Sequence, residues 1–317
     1  MKALMKMAEG PGHLEFRDIP MPEIGDDDLL LKVSCCGVCG SDLHIEDWVH
    51  PCDPPVVLGH EFAGVVAAMG RKVTGFAEGD TVAFRRGWSP YPGTQSNGGF
   101  EEYMRAPATC MWKTPAGITQ AEASQFETLV TPARAVRDMG KVKPGDRVVV
   151  TGAGMIGLGA VAIAAIEGAE VRAMGTERDL AERLPIATQV GAARTLVFGD
   201  QALSEIAEWA PRVWIEASGA AAAVEGASNV VAKGGTIVSP GLGSGPWNVN
   251  VGRMSFNSIS LLGMWGGNIA HLDDIARWMQ EGRLDIKPML QSMPLSEWRE
   301  AFDMLRRQEG VKVVLVP

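Results

Sequence analysis

The sequence predicts an α/β protein of two domains, one β-rich and one built on a doubly wound parallel sheet, and three observations carry this. The chain has 317 residues, more than a single hydrophobic core usually serves. Over its first part, short strand-like runs are broken by Gly and Pro at close intervals, the pattern of an irregular β barrel or sandwich. From about residue 120 onward, apolar strand-like runs alternate with helical stretches, which implies a parallel sheet covered by helices on both faces.

Taken in order, the first part offers "KALMKM", "LEFRDIP", "DLLLKVSCCGV", "FAGVVAAMG", "DTVAFR" and "FEEYMRAP" as strands. "GDRVVVTGAGMIGLGAVAIAAIEGAEVRAMG" then reads as an apolar strand, a glycine-rich turn, a small-residue helix and a second strand, one βαβ unit. "TLVF", "VWIEAS", "GTIVSP" and "SISLLGMW" extend the sheet. Two amphipathic helices and a β-branched strand close the chain. In the first of these helices Ile275, Trp278 and Met279 fall at i, i+3, i+4, so that face is core.

Composition removes several classes of function. A net charge of −9 without any cluster of Lys and Arg argues against a nucleic-acid surface. The stretch "MIGLGAVAIAAIEGA" is too short and glycine-rich to span a membrane, and the N-terminal residues contain no apolar run suited to a signal peptide. Five cysteines at irregular spacing predict no disulfide framework and a reducing, cytoplasmic setting.

The βαβ unit contains a dinucleotide signature. Gly152, Gly154 and Gly157, with Met155 and Ile156 between them, form G-x-G-x-x-G directly after the strand and at the start of the helix. Gly152 serves the tight turn, Gly154 the approach of a pyrophosphate, and Gly157 close helix–strand packing. The helix N-terminus offers free N–H groups to phosphate. The plain alternative is a glycine-rich structural turn in some other α/β protein. An acid that would hold the ribose hydroxyls of NAD is expected at the end of the second strand, yet Gly175 stands there. Thr176 and Arg178 could take a 2′-phosphate, whereas Glu177 could take the hydroxyls; the balance favours NADP(H) over NAD(H).

The chemistry concentrates in "SCCGVCGSDLHIEDWVHPCDPPVVLGHE". Cys39, His60 and Glu61 supply a thiolate, an imidazole and a carboxylate, a donor set that suits zinc better than magnesium or calcium. Cys36 and Cys39 also form C-x-x-C, but at the end of a strand rather than in a thioredoxin-like βαβ context, so the pair reads as a coincidence of spacing. Ser41 and His44 follow Cys39 closely and are competent to carry a proton, or, more plainly, to cap and decorate a helix.

In the phrases "GVCGSDLH" and "GHEFAGVV", together with the glycine motif, the chain resembles the zinc-dependent medium-chain dehydrogenase/reductase family of alcohol and polyol dehydrogenases over nearly its whole length. The resemblance implies a GroES-like catalytic domain over 1–126 and 268–317 and a Rossmann cofactor domain over 127–267. It implies one catalytic zinc per chain on Cys39 and His60, with Glu61 as an exchangeable ligand. Glu127, in "SQFETLV", falls where alcohol dehydrogenases have a cysteine and polyol dehydrogenases a glutamate, and would bind zinc directly or through water. Lys312, in "EGVKVVLVP", falls on a basic position near the cofactor pyrophosphate. Ser41 and His44 take the family's proton-relay positions. The four-cysteine lobe of a structural zinc is missing from "FRRGWSPYPGTQSNGGFEEY", so no structural zinc is expected.

The implied reaction is hydride transfer between a secondary alcohol, polyol or sugar-derived for preference, and NAD(P). The implied assembly is a homodimer or homotetramer. Trp48, Trp88 and Trp265 are candidate walls for a substrate's apolar face, or ordinary core residues. Two other readings compete: a zinc-free quinone or enone reductase, against which Cys39, His60 and Glu61 count, and a non-catalytic binding protein, which predicts lost ligands or glycines.

Overall fold

Residues 1–243 and 245–317 are described by the structure, a computed structural model, and they divide into two units, Met1–Glu127 with Leu290–Pro317, and Thr128–Met289. The first unit begins with β1 (Lys2–Lys6), β2 (Leu14–Asp18), β3 (Asp28–Gly37), α1 (Gly40–Glu46), β4 (Val56–Val57) and β5 (Glu61–Met69). It continues with β6 (Thr81–Phe84), β7 (Tyr103–Pro107), β8 (Met111–Lys113), α2 (Gln120–Ala123) and the start of α3 (Phe126–Ala133). The second contains β9 (Arg147–Thr151), α4 (Met155–Ile166), β10 (Glu170–Gly175), α5 (Arg183–Gln189), β11 (Arg194–Val197), α6 (Asp200–Trp209) and β12 (Val213–Glu216). After these come α7 (Ala221–Val230), β13 (Thr236–Ser239), α8 (Val251–Asn257), β14 (Ser260–Gly263) and α9 (Leu272–Gln280). Finally β15 (Leu290–Pro294), α10 (Trp298–Arg307) and β16 (Lys312–Val316) return to the first unit.

The spine of the first unit is β3, whose buried and less buried side chains alternate until its last residues, which are buried on both faces. It pairs with β5, β7 and β16 in the order β15-β16-β3-β5-β6-β8, while β2-β1-β4 forms a smaller sheet. Phe62, Phe84, Phe100 and Phe302 fill the core between them. All six predicted strands of this part form. The unpredicted ones, β4, β8 and β15, are two to five residues long, too short or too irregular to show a period.

In the second unit six parallel strands lie in the order β11-β10-β9-β12-β13-β14. The order reverses between β9 and β12, and the crevice beyond the carboxyl ends of such a pair is where this architecture binds ligands. β9 reads "RVVVT" with four of its five residues buried, and α4 is apolar nearly all round, which is what central elements covered on both sides require.

One boundary differs from expectation. The chain rejoins the first unit at Leu290 rather than at 268. Asn268 and His271 bond Asp138 at 2.9 and 3.1 Å, Arg137 binds Asp274 at 2.5 Å, and its guanidinium lies 5.4 Å from the Trp278 ring centroid. Those contacts, with Ile275 and Trp278 buried, fasten α9 to the 134–139 turn that follows α3.

Glu101 is buried in the first unit at an isolated bridge to Ala3, and its Oε2 has no hydrogen-bond partner. Burial pushes its carboxyl up to about 8. A raised carboxyl contributes stability that is full below its unfolded value and lost as pH climbs through the folded one. Stability is therefore expected to fall by up to about 1.4 kcal/mol per pH unit between roughly pH 4.5 and 8 on this group's account. Glu101→Gln should flatten that slope in denaturant titrations and melt higher than wild type at pH 8; an unchanged slope would refute this.

Candidate metal and cofactor sites

Three side chains from one strand end and one helix start converge in the first unit. β3 finishes at Gly37, and Cys39 becomes the N-cap of α1, its N–H donating to Asp42 Oδ2 at 2.8 Å. β5 runs antiparallel to β3 with Glu61 opposite Gly37, so His60 and Glu61 arrive beside Cys39. A Cβ at position 37 would run into the Glu61 carboxylate and lie 2.6 Å from Gln125 Nε2, so glycine makes room for the acid. The donor atoms of Cys39, His60 and Glu61 lie within 4.8 Å of one another, the one such group among the described residues.

The donors fit a zinc ion. His60 and Glu61 are buried, and His60 Nδ1 has no hydrogen-bond partner, standing 3.9 Å from the equally unpartnered Asp42 Oδ1. His60 Nε2 lies 3.4 Å from Ser41 Oγ, on the side of the ring away from Asp42. Burial disfavours a charge on His60, yet the hydrogen bond to Cys39 and the charges of Cys39, Asp42 and Glu127 outweigh it and raise the imidazole to about 10. Anionic groups that hold a proton this firmly would hold a dication in its place.

The two glutamates have different partners. Glu61 receives the Lys312 ammonium on both oxygens, at 2.9 and 2.8 Å, and Lys312 gives its remaining bond to Val38 O at 2.9 Å. Burial lowers Lys312, but Glu61 and Cys39 override this and hold it above the ordinary lysine range. Lys312, expected beside a pyrophosphate, thus has its three donors engaged within the first unit. Glu127, also buried, lies outside the Cys39–His60–Glu61 group. Its Oε1 stands 2.5 Å from Arg86 Nε and accepts from Tyr91 Oη at 3.0 Å. Burial, and next the charge of Glu127, raise the Tyr91 phenol, so it remains a donor. Arg86 and Tyr91 were not legible as site residues; only the unusual shortness of their segment marked it.

Of the relay candidates, Ser41 touches His60, and His44 sits one turn further along α1, its ring 6.1 Å from that of His50. The three tryptophans differ in their surroundings. Trp48 packs against the core with Lys6 over its ring at 5.2 Å, and Trp88 is a core residue set edge-on to Phe84 at 6.4 Å. Trp265 is 68% exposed beyond β14. Cys36 is buried on β3 and burial raises its thiol well above the ordinary range, which leaves no reactive pair with Cys39.

The glycine motif of the second unit behaves as its spacing predicts. Gly152 has φ +94°, and a Cβ there would lie 2.7 Å from Ser218 N. At Gly157 a Cβ would strike the Gly152 carbonyl, whereas at Gly154 it would meet nothing within 4 Å. Gly154 also caps α4, ahead of Met155 and Ile156, without a side-chain bond, so the helix presents open N–H groups, as a pyrophosphate requires. Gly175 has a local reason: a Cβ would lie 2.8 Å from Asp179 Oδ2. Asp179 accepts from Thr176 N and Oγ1 at 2.7 and 2.8 Å, which occupies the Thr176 hydroxyl proton, while Glu177 and Arg178 are exposed. Glu216, unremarked in the sequence, ends β12 as a buried acid that accepts from Ser218 N at 2.7 Å, Ser218 Oγ and Gly219 N at 3.0 Å. It stiffens the loop that faces Gly152; an acid closing an apolar strand was its signal.

A GroES-type β unit with a thiolate–imidazole–carboxylate cluster, joined to a dinucleotide-type sheet, defines an oxidoreductase. The comparisons agree: residues 25–116 match the alcohol dehydrogenase GroES-like domain and residues 156–281 the zinc-binding dehydrogenase domain. A sorbitol dehydrogenase of Halalkalibacterium halodurans is 30% identical over 343 positions, covering 100% of this chain and 99% of the relative. An L-threonine 3-dehydrogenase of Bacillus licheniformis is 30% identical over 349 positions, with 100% and 99% covered. Among solved structures, an NAD-dependent alcohol dehydrogenase superposes with TM-score 0.91 at 27% identity, covering 100% of both chains. A Sinorhizobium meliloti zinc-binding dehydrogenase solved with NADP bound gives 0.87 at 27%, covering 100% and 99%. The chain belongs to the zinc-type medium-chain alcohol dehydrogenase family.

Proposed function

We propose that the chain is a zinc-dependent oxidoreductase that transfers a hydride between a secondary alcohol, polyol or sugar-derived for preference, and NAD(P)(H), with NADP(H) favoured. The convergence of Cys39, His60 and Glu61 on one point carries this reading. When bound there, zinc supplies Lewis-acid polarisation of the alcohol or carbonyl oxygen. Asp42 orients His60, and Lys312 steadies Glu61. Ser41, beside His60, accepts the proton leaving the alcohol, and His44, on the next turn of α1, passes it toward solvent. Glu127, outside the ligand group, acts on the fourth metal position through water. The preference for NADP rests on exposed Arg178 alone, since Asp179 stands against Gly175 and occupies Thr176. A homodimer or homotetramer completes the reading, and a monomeric mass in solution would remove that part.

The test is a panel of polyols, sugars and simple secondary alcohols, run with NAD⁺ and NADP⁺ on wild type and Arg178→Ala. Zinc-dependent oxidation of a polyol is expected. The variant should lose about tenfold or more in kcat/KM for NADP⁺, the worth of a hydrogen bond to a charged group, with NAD⁺ little changed. No oxidation of any alcohol would overturn the proposal; unchanged use of NADP⁺ by the variant would remove the phosphate contact.

A further inference from the structure

Arg86 sits at the metal cluster with a guanidinium that the protein does not use up. Its Nε faces Glu127 Oε1 at 2.5 Å off the N–H direction, an ion pair without a hydrogen bond. Neither Nη1 nor Nη2 hydrogen-bonds any described residue. The preceding Arg85 is a useful contrast, since its Nε and Nη2 both donate to Thr109 O, at 3.1 and 2.8 Å. The Arg86 side chain is only 25% exposed, so its donors are partly desolvated as well as unmatched. Its backbone has φ +74°, a left-handed conformation that a residue other than glycine keeps only where its surroundings impose it.

The position relative to the cluster is equally specific. Glu127 joins Arg86 to Tyr91 Oη, and the Tyr91 ring centroid lies 5.7 Å from that of His60. One small molecule could therefore place an oxygen at the Cys39–His60–Glu61 cluster and another group at Arg86. Glu127 occupies the Nε side of the guanidinium, and the Nη1–Nη2 edge is a second fork, shaped for two parallel hydrogen bonds to an oxyanion. Tyr91, donating to the same Oε1, draws carboxylate charge away from Arg86 and leaves it better able to attract a second anion.

We propose that the alcohol handled by this enzyme carries a carboxylate or phosphate, and that the Nη1–Nη2 edge of Arg86 receives that group. The proposal rests on the alcohol oxidoreductase reading above and specifies its substrate class. Arg86 then sets specificity by charge: a neutral alcohol of the same skeleton leaves the Nη1–Nη2 edge of a part-buried guanidinium without an acceptor and loses a charge-assisted bidentate contact.

Two matched pairs test this with the zinc-loaded protein: 3-hydroxybutanoate against 2-butanol for a carboxylate, and sorbitol 6-phosphate against sorbitol for a phosphate. The readout is the ratio of kcat/KM within a pair, so general damage to the site cancels. In wild type at least one ratio should favour the anion, and the pair that does so identifies the group. Arg86→Met should lower that ratio about 100-fold, the scale of truncating one partner of a buried charge pair, and Arg86→Lys should fall between. Calorimetric titration with inorganic phosphate and with acetate should show binding of the matching anion to wild type and its loss in Arg86→Met. Ratios at or below one in wild type, or an unchanged ratio in Arg86→Met, would overturn the proposal while leaving the alcohol reading intact. Failure to oxidise any of the four compounds, or any other alcohol, would overturn both.

Discussion

Cys39→Ser is expected to abolish zinc binding and to lower alcohol oxidation by roughly 10³-fold or more, the loss of several kcal/mol of electrostatic stabilisation at the reacting oxygen. The variant is clean because Cys39 is the N-cap of α1, a position that serine fills well, and the Asp42 bond to its backbone N–H does not depend on the side chain. Helix α1 should therefore persist, with Ser41 and His44 in place, while the thiolate is replaced by a poor zinc ligand. Metal analysis by mass spectrometry should give about one zinc per chain in wild type and none in the variant. Far-UV circular dichroism should be superimposable. Full turnover by the variant without metal, or full zinc content, would end the metal-centre reading. An equal loss of activity with the zinc retained would mean that Cys39 acts some other way.

What could be read in advance follows the range of the interactions. Strand β9 and the glycine loop were legible because their chemistry lies within a dozen consecutive residues, and Gly152 and Gly157 each meet the steric situation that their spacing implies. Cys39, His60 and Glu61 were legible because all three stand in two short phrases of one contiguous stretch, which the antiparallel pairing of β3 with β5 brings together although α1 and β4 lie between those strands. Lys312 and Arg86 were not, since their partners are fixed by strand register and by the path of an irregular segment rather than by local pattern. Gly175 shows a subtler limit. Its neutrality suggested room for a 2′-phosphate, but its immediate neighbour is the Asp179 carboxylate that ties down Thr176. The tryptophans show a third limit: an indole suits a core as well as a pocket, and Trp88 is buried in the core while Trp48 packs half-buried against it.

The Lys312–Glu61 pair carries the second large effect. Both side chains are buried, and the ammonium spends its donors on Glu61 and the Val38 carbonyl. Lys312→Met would leave Glu61 as a buried charge beside Cys39 and Asp42, a loss of about 3–5 kcal/mol, or a melting point lower by roughly 10 °C. Adding Glu61→Gln should recover much of this, because it is the stranded charge and not the missing contact that destabilises. Zinc offers a sharper discriminator. A dication held by Cys39, His60 and Glu61 would replace part of the lost positive charge, so zinc should raise the melting temperature of Lys312→Met more than that of wild type. The effect should be flat from pH 6 to 9: a lysine held above its ordinary range contributes stability below its unfolded value, lost only as pH rises through the folded one. If Lys312→Met melted like wild type in the metal-free state, the pair would not be holding Glu61. If zinc protected both proteins equally, Glu61 would not be sharing its charge with the metal, and the ligand set would have to be completed by Glu127 instead.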